Sequence, residues 1–161
     1  MELEKIVWEA KQHNAPYDCV IGVSGGKDTT FQALYCKDTL HLNCLLVNCE
    51  PDNISEVGRQ NKENLIQKGF DCISIRPNPI RERELSLQYF KSHGNFVKPL
   101  EYSLYASAFR IAEKFDIPLV VQGENAGITL GVDLPTDGNA LNWKESNTVK
   151  DWPLSDYLYT W

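Results

Sequence analysis

The sequence has no lysine- or arginine-rich run. Its 16 basic residues are scattered among 22 acidic ones, leaving a net charge of -6. That balance weighs against gripping nucleic acid through a broad basic face. No apolar run approaches the roughly 18 to 20 residues needed to cross a bilayer. The charged, amphipathic opening MELEKIVWEAKQHNAPYD is not a signal peptide, so a cytoplasmic protein with no membrane contact is expected. C-x-x-C pairs are missing as well. The five cysteines, Cys19, Cys36, Cys44, Cys49 and Cys72, are an odd number and lie in or beside apolar runs, which reads as reduced thiols serving as small core residues. His13, His41 and His93 stand far apart in polar contexts and form no metal-ligand spacing. There is no internal repeat and no low-complexity linker to divide the 161 residues. One domain of ordinary size with a single core fits that length.

What is present is an alternation of short apolar runs and helical patterns. Leu3, Ile6, Val7 and Ala10 recur at helical spacing over the first fourteen residues, until Pro16 intervenes. "CVIGV" (Cys19 to Val23), "NCLLVN" (Asn43 to Asn48), "DCISIRP" (Asp71 to Pro77) and "IPLVVQG" (Ile117 to Gly123) read as strands. Helices are expected near Asp28, with Phe31, Ala33, Leu34 and Tyr35 on or near the buried side, and over 54–70 with Gly69 as its stop. Two more are expected over Arg81 to Ser92 and Tyr102 to Phe115. Strands alternating with helices predict an α/β fold, a parallel sheet covered on both faces. After Gly123 the pattern dissolves into a stretch rich in glycine and proline, with Trp143, Trp152 and Trp161. We expect one domain over 1–135 and an aromatic-rich tail over 136–161, with three readings open: wrapping the domain's own core, an interface with a partner subunit, or the start of a truncated acceptor region.

The densest chemical signal is Ser24-Gly25-Gly26-Lys27-Asp28-Thr29, between the first strand and the helix that follows. Two glycines there permit positive φ and close backbone approach. Backbone amides with a helix N-terminus behind them form a concave site for phosphate oxygens. The hydroxyls of Ser24 and Thr29 are further donors, and Lys27 adds a positive charge. Asp28 is placed either to cap the helix or to hold Mg²⁺ accompanying the phosphates. The spacing is neither G-x-x-x-x-G-K-[ST] nor G-x-G-x-x-G.

S-G-G-K-D-[ST] after an apolar strand resembles the signature of the PP-loop (N-type) ATP pyrophosphatase superfamily. A second stretch, "VVQGENAGITLG" (Val120 to Gly131), resembles the G-E-N segment of the N-acetyl sugar amidotransferases of surface-polysaccharide (lipopolysaccharide-type) biosynthesis. The resemblance implies a three-layer, Rossmann-like adenine nucleotide α-hydrolase fold. It also implies a ligase or amidotransferase that uses ATP and Mg²⁺. Such an enzyme adenylates a carbonyl oxygen of a small acceptor for displacement by ammonia, releasing AMP and pyrophosphate. Ser24, Gly25, Gly26, Lys27, Asp28 and Thr29 would hold the phosphates, with Asp28 toward the metal and Val23 beside the nucleotide. Val47, Asn48 and Cys49 would seat adenine. Gly123, Glu124 and Asn125 would face the α-phosphate and acceptor, with Lys27, Asp28 and Glu124 as the catalytic groups. A glutaminase partner and assembly as a homo-oligomer or larger complex are implied too.

The family's members are longer and carry a cysteine-containing segment ahead of the loop. The resemblance therefore leaves room for a minimal homologue, a split protein, or a second subunit that completes the acceptor site. Two other classes compete: a sulfurtransferase or sulfonucleotide-type relative, and a non-catalytic nucleotide-binding subunit.

Overall fold

A computed structural model describes residues 2–50 and 54–123. In chain order the elements are α1 (Glu2–Gln12), β1 (Cys19–Gly22), α2 (Lys27–Leu34), β2 (Cys44–Cys49), α3 (Glu56–Gln67), β3 (Asp71–Ile75), α4 (Pro79–His93), α5 (Lys98–Lys114) and β4 (Leu119–Val121). A single π-helical stretch, Tyr35–Thr39, continues α2. The expected α/β class is found: four parallel strands in the order β3-β2-β1-β4.

Alternation along β1 sends its side chains to two different cores. Cys19 and Ile21 pack with Leu46 of β2, Ala33 of α2, Cys36 of the π stretch and Leu65 of α3. Val20 packs on the other face with Leu45, Val47 and the α5 residues Ala108 and Ala112. Helices thus cover both faces of the sheet, and β2 is buried along its whole length. A parallel strand in this position has no solvent face, which is why its sequence is nearly continuous in apolar residues. Cys19 and Cys44 begin adjacent strands in register, their sulfurs 3.5 Å apart, and all five cysteines are free thiols.

Several expectations need correction. Phe31 and Tyr35 do not face the core: Phe31 is 67% exposed, and the two rings stack on each other at 5.9 Å on the outside of the helix. The buried side of this segment is Ala33 and Cys36, because the helix lies close to the sheet and small side chains fill the gap. Leu3 and Ile6 of α1 are also exposed, leaving Val7 and Ala10 toward the core. α4 begins at Pro79 rather than Arg81. Asn78 caps it by accepting hydrogen bonds from the N–H groups of Ile80 and Arg81, and proline suits a first-turn position that needs no donor. α5 starts at Lys98, with Pro99 in its first turn, four residues ahead of the expected Tyr102. Gly69, at φ 81°, ends the α3 region as expected. Glu124, Asn125 and the tail over 136–161 lie outside the described residues.

Candidate functional site

Strand order fixes where a ligand can enter. From β1 the chain moves through α2 to β2 and through α3 to β3, then crosses back by α4 and α5 to place β4 on the other side of β1. The strand order thus reverses beside β1, and open α/β sheets bind ligands beyond the carboxyl ends of their strands at such a switch point. The Ser24 to Gly26 turn leaves β1 at this point. Gln122 leaves β4 beside it, and its carbonyl accepts a 3.4 Å hydrogen bond from the Gln32 side chain of α2.

Gly25 has φ +79° and is buried, while Ser24, Gly26, Lys27 and Asp28 are exposed. Gly26, in extended conformation, is the residue preceding α2. The carbonyls of Val23, Gly25 and Gly26 are taken. Asn48 Nδ2 donates to the Val23 carbonyl at 2.6 Å, and Asn61 Nδ2 donates to the Gly25 carbonyl at 2.7 Å. The Gly26 carbonyl accepts from the Thr30 N–H at 3.1 Å and from the hydroxyls of Thr29 and Thr30 at 3.2 and 2.8 Å.

The amides differ. Among the described residues, the N–H groups of Ser24, Gly25, Gly26, Lys27, Asp28 and Thr29 make no hydrogen bond. Acceptors turned inward and donors left open give one edge of the turn a concentration of partial positive charge, which suits an anion with several oxygens.

Of the predicted site residues, the structure brings most into one region. Val23 is buried at the end of β1, with its N–H on the Val47 carbonyl at 2.8 Å. Val47, Asn48 and Cys49 end the adjacent β2. Asn48 is only 1% exposed, and its Oδ1 has no partner among the described residues. The Cys49 thiol is pushed up to about 11, first by burial and then by the carboxylates of Glu82 and Glu50. It is a neutral wall residue and not a nucleophile. Gly123 follows β4 by two residues.

Two roles differ from expectation. Asp28 is not the cap of α2: Gly26 holds that position with no side-chain hydrogen bond, and Asp28 sits in the first turn, where the helix dipole favours a carboxylate. The Thr29 hydroxyl donates to the Gly26 carbonyl and not outward; Ser24 Oγ, 3.4 Å from where a Gly26 Cβ would stand, lies over the turn.

Lys27 and Asp28 form no ion pair among the described residues. No cluster of three or more His, Cys, Asp or Glu side chains suited to a metal occurs among them. Asp28 is the carboxylate that the turn itself offers a divalent ion, with phosphates and water to complete the shell. That is how Mg²⁺ is usually held.

Sequence reading missed Gly58 and Asn61. Both lie on the inward face of α3, whose cap is Ser55. A glycine inside a helical pattern costs about 1 kcal/mol relative to alanine; that was the available signal of a close backbone approach at Gly58. Farther along the same face, Lys62 pairs with Glu50 and donates to Ser74 Oγ at 3.2 Å. The hydrogen bond from Lys62 holds the Glu50 carboxyl below the usual carboxylate range against the opposing effect of burial.

No family model matches the sequence, and no curated protein matches it. Among the solved structures similar in fold are two synthetases. One is the NH3-dependent NAD synthetase from Campylobacter jejuni subsp. jejuni NCTC 11168, in complex with the nitrate ion, with a TM-score of 0.54 and 19% identity over 80% of this chain and 56% of that one. The other is the NMN synthetase from Francisella tularensis, with a TM-score of 0.52 and 22% identity over 76% of this chain and 53% of that one. The chain spans little more than half the length of either. At these identities the likeness establishes the fold: a parallel, Rossmann-like α/β sheet of the kind those synthetases have.

Proposed function

We propose that the protein is an AMP-forming, ATP-dependent ligase or amidotransferase of the PP-loop type. One observation carries the reading: among the described residues the six consecutive N–H groups of Ser24 to Thr29, at the carboxyl end of β1, make no hydrogen bond, while the carbonyls of Val23, Gly25 and Gly26 each accept one or more. In this reading Ser24 to Thr29 cradle the β- and γ-phosphates of ATP. Lys27 offsets their charge, and Asp28 holds the accompanying Mg²⁺. Val23, Val47, Asn48 and Cys49 line the adenine side; Gly123, Glu124 and Asn125 serve the α-phosphate and the acceptor.

The acceptor's carbonyl oxygen attacks the α-phosphorus as the bond to pyrophosphate breaks, and ammonia then displaces AMP. Charge stabilisation and positioning supply the catalysis, so no side-chain nucleophile is needed. The ammonia step is supported by the NAD synthetase neighbour, which is named as NH3-dependent. The resemblance of Val120 to Gly131 favours an N-acetyl sugar as acceptor and a glutaminase as ammonia source. A cytoplasmic homo-oligomer completes the proposal; no described helix is long and apolar enough to cross a membrane.

A sulfur-transferring role is disfavoured by the thiols. Four of the five cysteines are buried and Cys72 is half-buried. Burial raises Cys72 as well as Cys49, and the lowered Cys36 owes its shift to a hydrogen bond from Cys19 within the core.

The test is incubation with Mg-ATP, ammonium and candidate N-acetyl sugars. Acceptor-dependent AMP and pyrophosphate in equal amounts are expected. ADP and phosphate would overturn the assignment; tight ATP binding without turnover, with neighbouring gene products added, would leave a nucleotide-binding subunit.

A further inference from the structure

We propose that Asn61 and Gly58 of α3 are positioning residues for the Ser24 to Gly26 turn, fixing the peptide orientation that keeps its amides open to an anion. The inference rests on the nucleotide reading above for its functional consequence, but not for its geometry.

Three observations converge. Gly25 is left-handed at φ +79°. A Cβ at Gly25 would stand 2.6 Å from the Gly58 carbonyl oxygen, 3.1 Å from Gly58 Cα and 3.2 Å from Gly58 C, so turn and helix meet backbone to backbone. Asn61, one turn further along α3, donates its side-chain N–H to the Gly25 carbonyl at 2.7 Å.

Contact this close is possible only because Gly25 has no side chain. A Cβ on Gly58 would lie at an ordinary 3.7 Å from the Ser24 carbonyl but press on Ser55 Oγ at 3.3 Å, so a side chain there bears first on the cap that anchors this end of α3. Gly58 is held in place by its N–H bond to Ser55 Oγ at 3.1 Å.

The consequence follows from peptide geometry. The Gly25 carbonyl and the Gly26 N–H belong to one planar unit and point in opposite directions. Two adjacent glycines impose little steric barrier to rotating that unit. If it flips, the anion meets a carbonyl oxygen where a donor should be. Asn61 holds the carbonyl on the α3 side and so holds the Gly26 N–H on the open side. Thr29 and Thr30 do the same for the next carbonyl, that of Gly26.

The experiment compares Asn61→Ala and the isosteric Asn61→Asp with wild type and with Lys62→Met, which breaks a neighbouring ion pair on the same helix. Mg-ATP, inorganic pyrophosphate and adenosine are the ligands, and amide hydrogen exchange at Gly25 and Gly26 is measured in ligand-free protein. Both Asn61 variants are expected to weaken Mg-ATP and pyrophosphate about tenfold, as loss of one charge-relevant hydrogen bond does. Adenosine affinity should change less than about twofold, and the two amides should exchange faster. Lys62→Met should lower stability with the ratio of ATP to adenosine affinity unchanged. Equal losses for ATP and adenosine, or unaltered exchange, would overturn the proposal. If wild type binds pyrophosphate and ATP no better than adenosine, the nucleotide reading fails, and the exchange comparison alone decides whether Asn61 orders the turn.

Discussion

Gly25 and Asp28 show how differently neighbouring residues of one motif are constrained. Gly25 combines a left-handed φ with a backbone neighbour 2.6 Å from where its Cβ would be. Gly25→Ala should therefore cost about 2–4 kcal/mol, measurable by urea denaturation, since both strain and overlap with an immovable backbone atom oppose it. Asp28 is exposed and caps nothing. Asp28→Ala should lower stability by no more than about 1 kcal/mol, the scale of a first-turn dipole interaction, and should abolish Mg-dependent turnover with the far-ultraviolet spectrum intact. A collapsed fold would show a structural role instead. The hexapeptide marks the position of this turn in the sequence. That Asp28 is not the cap, and that Thr29 bonds backward, depended on where α2 starts.

At the scale of elements, α3 does more than link β2 to β3. Its inward face carries Gly58 and Asn61 against the turn, Lys62 on Glu50 and Ser74, and Leu65 in the core. The Lys62 and Glu50 side chains are 14% and 27% exposed, so the pair is neither a surface bridge nor fully dry. Breaking it in Lys62→Met should cost about 2 kcal/mol at neutral pH. Because the folded-state pKa of Glu50 is lowered, its contribution is full above the unfolded glutamate value of about 4.3. It is lost as pH falls through the depressed folded value. Urea midpoints of wild type and Lys62→Met should differ clearly at pH 7 and converge as the pH drops below about 4. A difference independent of pH would mean that packing of the lysine stem, not charge, is what the variant loses.

For the whole molecule, the sheet is the unit of stability and the cysteines report on it. Cys19, Cys36, Cys44 and Cys49 are in the core and Cys72 is half-buried on β3. Native protein should show at most one thiol reacting readily with Ellman's reagent, and five after denaturation. Four slow thiols should react at one rate, set by opening of the fold. Fast reaction at Cys36 or Cys49 would mean that the two-face burial of β1 and β2 is wrong, and would reopen the sulfur-transfer reading.

The sequence by itself determined the alternation of strands and helices, the parallel class of the sheet and the place of the glycine turn after β1. These rest on local facts: apolar runs without a polar face, glycines where φ must be positive, proline and glycine at helix ends. It misjudged Phe31 and Tyr35, because hydrophobicity alone does not tell how closely a helix approaches a sheet. Only the tertiary structure set the order β3-β2-β1-β4, and with it the reversal of strand order beside the Ser24 to Gly26 turn. Only it brought Asn48 and Asn61 onto the carbonyls of Val23 and Gly25, respectively 25 and 36 residues away. The orientation of a peptide unit between two glycines is close to degenerate locally, so contacts from distant elements decide it.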